Sequence, residues 1–187
     1  MDFTGFMPPD EFWAMQSRHD QEARKRAASL PLYQVEDWKG PLMLGSWQMD
    51  ASEGSVLHGH RPPLKEGEAP FHLEVITTTR PASETALHKW REVSGPPPSW
   101  AARPFERSDS LNPRQYDATV DGVPTNFNVW EGPTFWVAWS ALTKPGVVIL
   151  CQGGRPGPDG IRLRRVPDVE PLLQARGAAL RAIRGGT

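Results

Sequence analysis

Alternation of apolar and polar residues predicts β-strands through the middle of the chain. In residues 71–78, apolar side chains stand at positions 71, 73 and 75, whereas His72 and Glu74 take the positions between them. Such alternation puts the two sets on opposite faces of a sheet. Residues 147–151 are apolar at every position, which indicates a central strand covered on both sides. Further strands are predicted at 42–44, 55–58, 115–120, 123–130, 134–139 and 161–166.

Short turns connect the predicted strands after residue 115. Asp121-Gly122 favours a tight hairpin because both residues tolerate a positive φ, and turns that contain glycine and proline follow at 131–133 and 144–146. Consecutive strands joined by such turns pair in an antiparallel way. We therefore predict an α+β fold, an antiparallel β-meander of about six to eight strands with helices packed on the sheet.

Three helices flank the predicted sheet. The first 30 residues carry an apolar stripe that starts at Phe12, and Asp20 and Arg24 stand four residues apart, as a favourable helical ion pair does. A short middle helix is predicted over 82–92 and a C-terminal one from about residue 168, with Asp168 as its N-cap. We expect residues 1–30 to form an N-terminal helical arm and residues 31–187 a single α+β domain.

Composition narrows the setting of the protein. The 21 basic and 22 acidic residues leave a net charge of −1, so nucleic acid is not an expected partner. No apolar run approaches the roughly 20 residues that span a bilayer, and no secretion signal is evident at the N-terminus. One cysteine, Cys151, excludes an internal disulfide and favours a reducing compartment. We therefore expect a cytoplasmic protein that has no contact with membranes.

Four residues have the spacing of metal ligands. His58 and His60 are separated by one residue and share a face of their strand, as do His72 and Glu74. Three imidazoles and one carboxylate suit iron, manganese, zinc or nickel. The pattern resembles that of the cupins, whose metal sites use a His-x-His strand pair with a glutamate and a further histidine. The resemblance implies a metal-dependent enzyme of the small-barrel type, which we keep as an alternative to a protein without a cofactor.

Tryptophans and arginines indicate a binding surface instead. The chain has eight tryptophans, of which Trp130, Trp136 and Trp139 lie on neighbouring predicted strands, where indoles form either core or a groove. Between 155 and 187, seven arginines stand against three acidic residues. Arg162 and Arg164 alternate with apolar residues and should share an exposed face. Exposed arginine beside tryptophan is typical of protein–protein contacts.

Our leading hypothesis is a non-catalytic binding or accessory protein. It would act through an aromatic, arginine-rimmed surface on a protein partner, a second copy of the chain included, and Phe12 and Trp13 form another candidate surface. No serine stands in a nucleophile elbow, and Cys151 belongs to the most apolar strand, where a thiol is inert, so we predict no catalytic residue. A carrier of a small apolar ligand is the second alternative, and it requires a sheet curled around a cavity.

Overall fold

The computed structural model describes residues 8–36, 38, 42–49, 52–61, 71–94, 112–140, 145–153 and 158–185. Within these ranges the chain forms three helices and nine strands, an α+β fold as the sequence predicts. In chain order they are α1 (Pro9–Ser29), β1 (Tyr33–Val35), β2 (Leu42–Met49), β3 (Ser52–Arg61), β4 (Phe71–Thr78), α2 (Ala82–Ser94), β5 (Arg114–Val120), β6 (Val123–Glu131), β7 (Phe135–Ser140), β8 (Gly146–Gln152), β9 (Arg162–Arg165) and α3 (Glu170–Gly185).

All nine strands belong to one sheet, in the order β1-β9-β5-β6-β7-β8-β4-β3-β2. In this spatial order, the seven strands from β1 to β4 curl into a nearly closed barrel. The contact between β1 and β4 brings the two ends of the curve together. The predicted purely antiparallel meander is wrong in one respect, since the sheet is mixed: β9 pairs parallel to β5. Strands β5 to β8 do form the predicted up-and-down series, but the chain then crosses back to β5 instead of adding β9 beside β8.

The hairpin between β5 and β6 explains why β9 can pair there. Asp121 and Gly122 both have positive φ, 50° and 75°, as the sequence predicts for a tight turn whose twist matches that of the strands. The Asp121 carboxylate accepts a hydrogen bond of 2.6 Å from the backbone N–H of Arg165. The turn that closes the hairpin therefore also holds the last residue of β9.

The inside of the barrel is the main hydrophobic core. It joins apolar side chains from β4, β5, β6, β8 and β9 with Ala138 of β7. Phe127, Ile149 and Leu163 have no measurable exposure, and each comes from a different strand of the curve. Burial of apolar area on this scale is the dominant favourable contribution to folding. The predicted central strand, now β8, is buried from Gly146 to Cys151.

In the part of the chain that the structure describes, a helix covers one side of the outer face of the barrel. Helix α2 lies over β7 and β8, where Ala82 and Ala86 pack against Ile76, Val148 and other side chains of a second core. On the opposite side, the outer residues of β9 and β5 are exposed or half-buried. None of the helices in the described ranges is both long enough and apolar enough to cross a membrane.

Helices α1 and α3 pack together over β2. Leu44 and Leu173 meet Leu32 in a third apolar cluster, to which α1 adds Ala23 and Ala27. The start of α3 is fixed by Asp168, whose carboxylate accepts a hydrogen bond of 2.9 Å from the N–H of Glu170, as predicted for a cap. The division into an arm over 1–30 and a domain over 31–187 stays a prediction.

One arginine ties these three elements together. Arg176 of α3 donates a hydrogen bond of 2.9 Å to the backbone carbonyl of Leu44 on β2 and another of 2.8 Å to Asp20 on α1. Gln16 donates to the same Asp20 oxygen at 2.9 Å. Gln16 and Asp20 face this cluster and therefore lie on the buried side of α1. His19, by contrast, is exposed.

Replacement of Arg176 should loosen α1 as well as lower overall stability. We expect Arg176→Met to lose about 1–3 kcal/mol of unfolding free energy, because it removes the cation that binds Asp20 and leaves the Leu44 carbonyl without its donor. Amide exchange in α1 should rise more than exchange in β8. Arg181→Met, an exposed site on the same helix, is the matched control. Equal melting curves for the two variants would contradict the proposed tie.

Candidate functional site

A cluster of buried charges lies on the outer face of the barrel beneath α2. Lys89 and Glu74 are only 5% and 7% exposed, and the Lys89 ammonium lies 2.8 Å from Glu74 Oε2 and 3.0 Å from Glu92 Oε2. His72 Nε2 lies 3.1 Å from Glu74 Oε1. Burial opposes the charged form of Lys89, but hydrogen bonds and charge from Glu74 and Glu92 outweigh it and raise the pKa of the ammonium. Lys89 is therefore a permanent cation at this position.

The four predicted metal ligands occupy neighbouring positions of the sheet. The register of β3 on β4 sets His58 opposite Glu74 and His60 opposite His72. His72 and Glu74 lie on the outer face, and one oxygen of Glu74 is already occupied by the Lys89 ammonium. Among the residues whose side chains are described, no group of three or more His, Cys, Asp or Glu could hold a metal. The side chains of His58 and His60 are outside that set, so the metal hypothesis stays a prediction.

Two of the three tryptophans predicted to form a surface are part of the core under α2. Trp130 and Trp139 are 8% and 5% exposed, and their rings pack at a centroid distance of 4.2 Å with an interplanar angle of 47°. Trp90 of α2 caps them, 6.0 Å from Trp130 and 4.7 Å from Phe135. Aromatic pairs in such arrangements stabilise packing beyond the area that they bury. This cluster therefore fixes α2 on the sheet.

Trp136 lies on the other face of β7, at one end of the barrel. It is half-buried against the inner core, directly opposite Glu131 of β6 and Cys151 of β8. Trp130 and Trp136 do not pair across the strands, because the register sets Trp130 opposite Val137 and the two indoles face opposite sides. Side-chain alternation, counted from a correct register, would have separated them.

The two arginines of β9 are placed as the sequence predicts. Arg162 and Arg164 are exposed while Leu163 between them is buried. Arg162 Nε lies 3.4 Å from Glu36 Oε2. With its amide oxygen turned toward β9, Gln34 accepts from Arg164 Nε and Nη2 at 2.6 and 2.7 Å. Both guanidinium groups are thus held by side chains from the β1 edge.

The N-terminal candidate surface is mostly packed. Phe12 is 3% exposed and meets Trp13 edge to face at 5.1 Å, so only the half-buried Trp13 remains accessible to a partner. Binding through this pair stays a prediction. Lys89 and Glu36 were not found as site residues from the sequence, although Lys89 follows Ala86 by three residues and so falls on the buried face of its helix.

Lys89 should stabilise the packing of α2 on the sheet. We expect Lys89→Met to cost about 3–5 kcal/mol, because it leaves the Glu74 carboxylate buried without its counter-ion. The double variant Glu74→Gln/Lys89→Met should recover much of that loss, since no buried charge is left unpaired. The measurement is denaturant unfolding of the wild type, both single variants and the double variant. If the unfolding free energy lost by the double variant equals the sum of the losses in the two single variants, the two side chains do not interact.

Cys151 should be inert in the folded state. Its side chain is 1% exposed, and burial raises the pKa of the thiol to about 12. Ellman's reagent should therefore react at the rate of unfolding, and denaturant should accelerate it. The raised pKa favours folding below pH 9, and this contribution should fall as pH rises from about 9 to about 12. Fast labelling of native protein would contradict the burial of β8.

Comparisons with known proteins do not identify a function for this site. No protein family, no curated protein and no solved structure matches the chain at a significant level. The side chains of this chain and the surfaces that its fold leaves open are therefore the basis of the functional proposal.

Proposed function

We propose that this protein is a non-catalytic binding protein that uses the outer face of β1, β9 and β5 to bind an acidic surface of a protein partner. One observation carries the proposal: α2 covers the other side of the outer face, whereas this side bears Arg162 and Arg164 in exposed positions. We call it the arginine face, defined by Gln34, Glu36, Arg162 and Arg164.

The arginine face is rigid because both of its arginines stand on a strand. Leu163 between them has no measurable exposure and fixes β9 to the core. Gln34 and Glu36 then hold the two guanidinium groups from across the β1 pairing. A preorganised side chain loses less conformational entropy on binding than a free one. Arginine is enriched among the residues that contribute most to protein interfaces, in part because its planar fork matches a carboxylate.

Acidic groups are the expected counterpart of this face. Arg162 has 54% of its side chain exposed, and its 3.4 Å contact to Glu36 is also at the surface. An exposed pair of this kind contributes little to stability, so a partner carboxylate can replace Glu36 at small cost. Arg164 is held by an uncharged amide and keeps its full charge for a partner.

The two alternative functions have less support in the geometry. A metal-dependent enzyme that uses His58, His60 and His72 would have to form its site beside the Lys89 ammonium, which repels a metal ion from Glu74. A carrier of an apolar ligand would need space inside the barrel, where Phe127, Ile149 and Leu163 pack together. Both remain alternatives, and metal analysis of untagged protein tests the first.

Charge reversal on β9 should weaken binding to acidic partners. We expect Arg162→Glu/Arg164→Glu to weaken capture of acidic proteins from native lysate by about thirtyfold, which corresponds to the roughly 2 kcal/mol of an interface hot spot. Wild-type capture should also weaken as salt rises, since exposed charges are screened beyond about 8 Å at physiological ionic strength. Quantitative mass spectrometry of the captured proteins provides the measurement.

The matched control is Arg91→Glu/Arg181→Glu. It makes the same change of net charge at two exposed helical positions and should leave capture unchanged. Circular dichroism and the melting temperature must show that both double variants are folded. If the β9 variant retrieves the same proteins as the wild type, the arginine face is not the binding surface.

A further inference from the structure

One end of the barrel carries half-buried aromatic side chains beside opposite charges. Strands β5 and β7 begin at this end and β6 and β8 finish there, whereas β9 begins farther along the barrel, with Arg162 beside Thr119. Strand β1 also ends there, and Trp38 follows it with its N–H donated to the carbonyl of Val35. We call this end the barrel mouth. It is defined by Trp38, Arg114, Tyr116, Glu131 and Trp136.

The aromatic members of the mouth pack on the core but are not enclosed by it. Trp38, Tyr116 and Trp136 each contact the inner core and are only half-buried. This distinguishes Trp136 from the sealed Trp130 and Trp139. The mouths of β-barrels are a frequent location of small-molecule sites, where apolar walls meet a few placed polar groups.

A chain of polar contacts crosses the mouth. The Tyr116 hydroxyl donates to Glu131 Oε1, and the hydrogen bond to Glu131 is the main cause that raises the pKa of Tyr116. Arg114 also hydrogen-bonds to Tyr116. The carboxylate of Glu131 lies directly opposite Trp136 in the register. The mouth therefore combines indole and phenol rings, one carboxylate and a guanidinium that is supplied by the chain itself.

We propose that the barrel mouth is a binding site for a cationic group with an apolar shell, such as a quaternary ammonium. Aromatic rings attract such cations through their negative faces, and a carboxylate adds direct charge complementarity. The Arg114 guanidinium hydrogen-bonds to the Tyr116 hydroxyl, so a cation of the chain itself already lies beside these groups. Arg114 is the resident cation with which an incoming ligand competes. This site is separate from the arginine face and goes beyond the function proposed for it.

Because Arg114 competes with the ligand and Glu131 attracts it, variants of the two residues should change ammonium binding in opposite directions. Arg114→Gln removes the competing cation and should strengthen ammonium binding about threefold to tenfold, whereas Glu131→Gln removes the attracting charge and should weaken it by a similar factor. Both side chains are exposed, so both substitutions keep the core intact. Arg91→Gln and Glu22→Gln make the same chemical changes at exposed positions on α2 and α1 and should have no effect.

The probes are choline and 3,3-dimethylbutan-1-ol, its uncharged isostere, titrated by calorimetry or ligand-observed NMR. Choline should bind about tenfold more tightly than the isostere, and Trp136→Leu should abolish the difference. Equal affinities for the two probes would overturn the proposal, because recognition would then be apolar only. Failure of choline to bind, or a shift in the same direction for Arg114→Gln and Glu131→Gln, would also overturn it. None of these results depends on the capture of acidic proteins by the arginine face.

Discussion

The parallel pairing of β9 with β5 is the contact on which the rest of the fold depends. Without it, the antiparallel series β5 to β8 would be an open sheet, and β5 would be an uncovered edge. Leu163 fills the core from β9, while the Asp121 carboxylate holds the backbone of Arg165 at the hairpin turn. β9 in turn carries β1, which contacts β4 and brings the curve close to closure. The inner core, the mouth and the arginine face all follow from where this four-residue strand is placed.

The two faces of the curved sheet have separate roles. The inner face is mostly apolar, with half-buried aromatic rings at the mouth and at Tyr33 of β1. Helix α2 covers the outer face where the tryptophans pack, whereas Arg162 and Arg164 are exposed on the other side. The buried Glu74–Lys89 pair lies on the sealed side and has two counter-charges around one ammonium. Such a pair orients a helix more than it adds to net stability.

Local patterns predicted the elements well, because strand alternation, the Asp121-Gly122 turn and the Asp168 cap depend on neighbouring residues. Relations between distant elements could not be read in the same way. Asp20 and Arg24, an expected helical pair, instead bind Arg176 and Glu170 of α3. A three-residue strand such as β1 is too short to show a period. The tryptophans were identified as aromatic clusters, but the face that each one takes depends on a strand register that a single sequence does not contain.

The two edges of the sheet determine whether strands from other molecules can pair with it. In the nine-strand order, β1 and β2 are the two terminal strands, and an exposed terminal strand can recruit strands from other molecules. β1 has only three residues, which leaves little length for a foreign strand to pair with. On β2, the Leu44 carbonyl is occupied by Arg176. The arginine that joins α1 and α3 to the sheet therefore also blocks one backbone acceptor that an added strand would need.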